Sequence, residues 1–157
     1  MARKRKDNRW NDIDGGKAFT VPYTLLRHPN FYRLSAYGHK LLMDLARQYT
    51  GFNNGYLCSS WALMSEAGWN SENTVRKAMR ELEHYRLIER TRQGGRNRAN
   101  LHAFTWRRID AKANDFLDVS QTMKPSDSWK EERPEFERTA GTRKARAIES
   151  KALKAAA

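Results

Sequence analysis

Ser71-Glu-Asn-Thr-Val-Arg-Lys-Ala-Met-Arg-Glu-Leu-Glu-His-Tyr85, continuing as Arg86-Leu-Ile-Glu-Arg-Thr-Arg-Gln-Gly-Gly-Arg-Asn-Arg-Ala-Asn-Leu-His-Ala-Phe-Thr-Trp-Arg-Arg108, is the stretch that decides the fold. Its first part reads as one helix opened by Ser71 or Asn70, residues whose side chains accept from the free N–H groups of a first turn. Val75, Ala78, Met79, Leu82 and Tyr85 recur at helical spacing and form one apolar stripe. Asn73, Lys77, Arg80 and His84 lie opposite, with Arg76 at the margin. The second part reads as a β-hairpin. Two strand-like runs, Leu87 to Arg92 and Leu101 to Trp106, flank a loop in which Gly94-Gly95 serves as a flexible tip.

Upstream, Val21 to His28 predicts a short helix with Pro22 in its first turn, stopping before Pro29. Ser35 is the expected cap of a core helix in which Leu41, Leu42, Leu45 and Tyr49 repeat, with Gly51 as its stop. Asn53-Asn-Gly55 has turn chemistry, and Gly55 to Cys58 reads as a short strand. Ser59 or Ser60 then caps a helix through Trp61, Leu63, Met64 and Ala67, which Gly68 ends. The order is mainly α with a small antiparallel hairpin, an α+β class.

The chain has 157 residues, with 30 Lys+Arg against 18 Asp+Glu and a formal net charge of +12. That length holds one domain plus tails at roughly 100–150 residues per domain. A single cysteine, Cys58, excludes a disulfide framework and a cysteine-rich metal site. No apolar run approaches the roughly 18–20 residues of a membrane span, and Met1-Ala-Arg-Lys-Arg-Lys6 lacks the apolar segment of a secretory signal. A cytoplasmic protein without a membrane role is expected.

The charge is unevenly distributed. Residues 1–20 hold 6 basic and 3 acidic side chains, residues 21–109 hold 14 and 6, and residues 110–157 hold 10 and 9. Apolar residues thin out at the same boundary. The expected organisation is a basic arm over 1–18, one domain over 19–109, and a charged, mostly extended tail over 110–157 with a helix near 136–156. Lys124-Pro-Ser-Asp-Ser-Trp-Lys-Glu-Glu-Arg-Pro134 cannot bury enough apolar surface to offset its ordering entropy unaided.

An excess of Lys and Arg favours a polyanionic partner, because neutralised phosphates release condensed counterions. A helix fits the major groove of B-DNA, where Asn can pair bidentately with adenine, and Arg or Lys with guanine. Asn73, Lys77 and Arg80 are the expected base readers, with Arg76 on base edges or backbone and Ser71 and Thr74 beside them. From Arg86 to Arg108 the sequence holds seven Arg, no Lys and one acid, Glu89. Arg92, Arg96, Asn97 and Arg98 are therefore the expected backbone or minor-groove contacts. Arg3, Lys4, Arg5 and Lys6 are expected as accessory DNA contacts.

Residues 19–109 resemble the winged helix-turn-helix proteins of bacterial plasmids, prophages and other mobile elements. The resemblance rests on Phe19-Thr-Val-Pro22, Leu34-Ser35, the Asn53-Asn-Gly55 turn, the Asn73-Thr-Val75 opening, Arg80-Glu-Leu82, Arg92-Gln-Gly-Gly95 and Phe104-Thr-Trp106. It implies sequence-specific binding of double-stranded DNA, in transcription regulation or as a replication initiator or accessory protein. In one respect the sequence departs: Gly68-Trp-Asn-Ser71 makes the turn one residue longer than the commonest version, which shifts the register of the base-reading positions. A homodimer is expected only because such regulators commonly bind palindromes.

Other classes have weaker support. His28, His39, His84 and His102 are scattered, Glu81 and Glu83 point in different directions on their helix, and no phosphate loop or nucleophile elbow is present. No enzyme, cofactor or metal is expected. RNA binding would use aromatic platforms on strands, for which Tyr56, Phe104 and Trp106 are the candidates. A protein-interaction module, adaptor or anti-defence, would use the tail, where Phe116, Leu117, Trp129 and Phe136 stand as isolated apolar residues and Arg143 to Lys154 has helix propensity.

Overall fold

The first helical signal stays within its expected span, and Pro29 starts a further helix as well as stopping that one. In the computed structural model, which describes residues 12–110, 112 and 116–137, Tyr23–Leu26 forms α1 and Pro29–Tyr32 forms α2. Proline's fixed φ suits the first helical position, and His28 caps the new helix by accepting the Asn30 N–H at 3.2 Å through Nδ1. The short helix expected over Val21 to His28 is present as Tyr23–Leu26, and α2 follows it as an element the apolar pattern did not indicate.

Ser35 caps α3, Ala36–Ala46, with its hydroxyl 3.0 Å from the Gly38 N–H. Leu41, Leu42 and Leu45 are buried along one side. The helix ends earlier than its apolar period suggests, since Tyr49 lies beyond it. Asn53 secures that end: its amide donates to the Gln48 carbonyl at 2.7 Å and its oxygen accepts the Thr50 N–H at 2.7 Å.

Strand β1, Leu57–Cys58, leads to α4, Trp61–Glu66, and then to α5, Glu72–His84. The long turn between the helices has a structural reason. Gly68 takes a left-handed φ of 80°, and Trp69 inserts into the core and donates Nε1–H to buried Asp44 at 2.7 Å. Ser71 caps α5 by accepting the Thr74 N–H at 3.4 Å. Val75, Ala78, Met79, Leu82 and Tyr85 are all buried, as their spacing predicts.

Strand β2, Ile88–Arg92, pairs with β3, Leu101–Phe104, and β1 adds to the other side of β3. The result is a three-stranded antiparallel sheet in the order β1-β3-β2, with Leu57 opposite His102 and Ile88 opposite Phe104. A bulge at Thr91 interrupts the β2 register and aims that hydroxyl at the Gly55 carbonyl, 2.6 Å away. Among the described residues the architecture is α+β, five α-helices packed against a small sheet. Its core is filled by Leu25, Leu41, Leu42 and Leu45 from the first helices, Val75 and Leu82 from α5, and Phe104 from the sheet.

Two buried asparagines organise what the apolar pattern does not. Asn54 donates to the carbonyls of Phe104, Arg107 and Arg108 and accepts the Phe104 N–H at 2.8 Å, joining the turn before β1 to the end of β3. Asn30 donates to the carbonyls of Trp129 and Glu131, at 2.9 and 2.8 Å, and accepts the Arg133 N–H at 2.8 Å. Those last bonds revise the picture of a solvated tail.

Residues 116–137 form a strap over the fold. Asp118 bonds to Thr91 and Gln93 at the base of the hairpin, Asp127 N–H reaches the Thr105 carbonyl, and Trp129 is only 3 % exposed with its ring edge-on to His28. Glu131 pairs with Arg86, Glu132 with Arg33 at 2.7 Å, and Phe136 lies against His84. The strap has no core of its own; it lends Trp129 to the core of the helices, which is how a polar segment offsets its ordering entropy. The arm residues Arg3, Lys4, Arg5 and Lys6 and the expected C-terminal helix beyond 137 lie outside the described residues.

Candidate nucleic-acid interface

The outer face of α5 follows from its inner one. Burial of the Val75 to Leu82 stripe turns Asn73, Arg76, Lys77 and Arg80 to solvent, with Thr74 half-buried at the edge. Asn73, Lys77 and Arg80 have no hydrogen-bond or ion-pair partner among the described residues. Arg76 pairs with Glu72 one turn earlier at 2.6 Å, both side chains being exposed. Such a pair contributes about 0–1 kcal/mol, so a stronger anion can displace the carboxylate cheaply. Ser71 is held by the cap, whose hydroxyl faces the Thr74 N–H.

Beside α5 lies the hairpin loop, and between them runs an open cleft of about 470 Å3. Arg76 and Arg80 enter it from the helix, Arg90 and Arg98 from the hairpin, and Ser60 and Trp61 close it from the start of α4. The three cleft residues Ser59, Ser60 and Trp61 are absent from the sequence-derived site. Their only signal is an indole left partly exposed on a short helix, which periodicity alone cannot distinguish from a core position.

The loop differs from its expected shape. Its tip is Arg96-Asn97, closed by paired bonds between Gly95 and Arg98 at 2.8 and 3.1 Å, with Asn97 at φ 61°. Gly94 sits below the tip where strands cross closely: a Cβ there would lie 2.6 Å from the Arg98 carbonyl oxygen. Gly94 therefore permits close approach, and the exposed tip carries the cation itself.

The seven arginines of the hairpin region divide by role. Arg92 donates Nε–H and Nη2–H to the Ala99 carbonyl, bracing the loop from within. Arg107 lies over the Phe19 and Tyr49 rings and donates to the Thr20 hydroxyl at 2.6 Å. Arg86 holds the strap, Arg90 holds Glu83, and Arg108 lies 3.5 Å from Asp110. Among the described residues the Arg98 side chain donates only to the neutral Phe116 carbonyl and meets no carboxylate, and Arg96 has no partner. Of the sequence-derived wing residues, Arg96, Asn97 and Arg98 thus share the exposed tip, while Arg92 is structural.

Two glutamates on α5 fix this geometry. Glu81, 2 % exposed, accepts from the Ser35 N–H at 2.9 Å and the Ser35 hydroxyl at 2.5 Å, locking α5 to the start of α3. Glu83 accepts from buried His102 at 3.3 Å and from Arg90 at 2.8 Å, tying α5 to both strands of the hairpin. The His102 hydrogen bond, with Arg90 adding to it against the cost of burial, holds the Glu83 carboxyl below the usual carboxylate range. On β2, Glu89 behaves oppositely, since burial raises its carboxyl and the Ser126 hydroxyl only partly offsets this.

Phe104 and Trp106 are buried in the fold. Among the described residues no three His, Cys, Asp or Glu side chains gather at metal-binding distance, and no helix is long and apolar enough to cross a membrane. Family models give no match to this chain, and searches of curated proteins and of solved structures return none.

Proposed function

We propose that the chain is a winged helix-turn-helix protein that binds double-stranded DNA sequence-specifically, with α5 in the major groove and the hairpin loop on backbone or minor groove. The observation that carries this reading is an outward α5 face on which Asn73, Lys77 and Arg80 have no partner among the described residues, beside an open cleft lined by Arg76 and Arg80 from the helix and by Arg98 from the exposed hairpin tip. Side chains that pack or pair elsewhere serve the fold; these have no such use, and their donors match base edges and phosphates. Transcription regulation of a plasmid or phage-like element is the biological role proposed, with replication initiation as the alternative.

The protein-interaction reading has less support, because Trp129 and Phe136 already pack on the domain itself. RNA stacking is likewise weakened by the burial of Phe104 and Trp106, which leaves only Tyr56 partly accessible among the three strand aromatics.

The test separates base reading from phosphate attraction. Arg80→Ala costs about 1–3 kcal/mol on the best site and relaxes specificity there. Arg96→Ala weakens all duplexes alike and lowers the salt slope by about 1. Gel shifts on selected and random duplexes measure both, and unchanged binding by the two variants would refute the docking.

A further inference from the structure

Trp61 borders the hairpin cleft without belonging to the core. It is 38 % exposed, and its ring meets no other ring and no cation among the described residues. Buried Val75 and Met79 add apolar lining to the same cleft. A single exposed indole is ordinary on a protein surface. This one shares a concave site with cations that the fold does not neutralise.

Four arginines and two glutamates line that site. Two pairs cancel, Arg76 with Glu72 at 2.6 Å and Arg90 with Glu83 at 2.8 Å. Arg80 and Arg98 meet no carboxylate among the described residues, so the cleft keeps two positive charges. Its walls are also fixed in advance. Glu83 ties α5 to the hairpin through His102 and Arg90, and Asp118 holds the Gln93 N–H at 2.6 Å. The Asn100 amide oxygen accepts the Gly94 N–H at 2.6 Å, which leaves its amide nitrogen to donate to a ligand. A cleft already ordered in this way spends little of a ligand's binding energy on closing around it.

The backbone of a duplex offers phosphates to the arginines but keeps the faces of its bases stacked, so it has no use for an indole face. A free nucleotide has both a flat base that stacks on an aromatic ring and a phosphate that takes charge-assisted hydrogen bonds. The cleft of about 470 Å3 lies within the roughly 300–1,000 Å3 of small-ligand sites. We propose that it binds a nucleoside monophosphate, with the base against Trp61 and the phosphate on Arg80 and Arg98. Since Arg80 and Arg98 are also the groups assigned to DNA, the nucleotide displaces the duplex and acts as an off-switch. Only this regulatory consequence rests on the DNA-binding reading above; the nucleotide site stands on the cleft itself.

Isothermal titration calorimetry of the full chain with deoxyadenosine 5′-monophosphate, deoxyadenosine and inorganic phosphate tests the site. The monophosphate binds with a Kd below about 1 mM, and at least about tenfold more tightly than either fragment, because it alone uses both ends of the cleft. Trp61→Ala weakens it at least about fivefold through lost stacking, and Arg98→Gln at least about tenfold through a lost charge-assisted bond. Both residues are exposed, and an unchanged Tm verifies that each variant is folded. Absence of saturable binding overturns the site, as does binding that neither variant weakens. Inorganic phosphate as tight as the monophosphate overturns the role of Trp61 and with it the nucleotide. Anisotropy of a labelled duplex at constant ionic strength then tests the switch: the monophosphate at about ten times its Kd raises the apparent Kd for duplex about tenfold, and inorganic phosphate at the same concentration does not. If the nucleotide binds and duplex affinity is unchanged, the switch is overturned while the DNA-binding reading stands. If the parent binds no duplex, that reading and the switch fall together, and calorimetry alone decides the nucleotide site.

Discussion

Trp129→Ala removes the one large side chain that the strap contributes to the core. The indole is 3 % exposed, packs edge-on against His28, and belongs to the cluster containing Leu25, Leu34 and Leu82. An aromatic side chain of this size buries about 200 Å2, and at about 25 cal/mol per Å2 its transfer is worth about 5 kcal/mol. Partial collapse of the strap into the gap lowers the cost, giving about 3–5 kcal/mol. Against a typical total of about 5–15 kcal/mol that is a large share, and it corresponds to a fall in Tm of about 10–20 °C. Urea unfolding followed by circular dichroism measures it. A change below about 1 kcal/mol would refute the reasoning, since the strap would then add little to the stability of the domain.

Glu81→Ala leaves the Ser35 N–H and hydroxyl without the buried carboxylate that serves both, and costs about 2–3 kcal/mol, measured by thermal melting. Glu89→Gln raises Tm at pH 7, because burial has raised the folded-state pKa and the ionised form is therefore disfavoured in the fold; the gain shrinks as pH falls toward 4, where the wild-type carboxyl is protonated. Glu83 has the opposite sign. Its folded pKa lies below the unfolded value, so its contribution is present above about pH 4.5 and is lost as pH falls through the folded pKa, an acid sensitivity that Glu83→Gln abolishes in Tm measurements across pH 3–7.

Elements whose information is local were legible from the residues. The α5 stripe and its Ser71 cap needed only helical spacing, and the outward set of Asn73, Lys77 and Arg80 follows once the stripe is buried. The hairpin was legible as two strands around a glycine loop, but its tip was not, because Gly94 is required by a carbonyl arriving from Arg98 and not by a turn angle. Long-range polar bonds left no periodic trace. Asn54 reads as turn chemistry and is a junction between two segments; Asn30, which no sequence pattern singles out, anchors a strap 100 residues away. Arg92 and Arg107 were indistinguishable by type from Arg96, though they brace the fold and Arg96 is exposed at the tip. Trp129 looked isolated because its neighbours in sequence are polar; its neighbours in space are the helices.

Selection of binding sites from a pool of random duplexes with the full chain tests the central claim most directly. Base reading by α5 enriches a defined motif, whose arrangement as palindrome or direct repeats separates a dimeric regulator from an initiator, and Arg80→Ala loses preference at one position of it. No enrichment above the starting pool, or the same motif recovered unchanged by Arg80→Ala, would contradict base reading by α5.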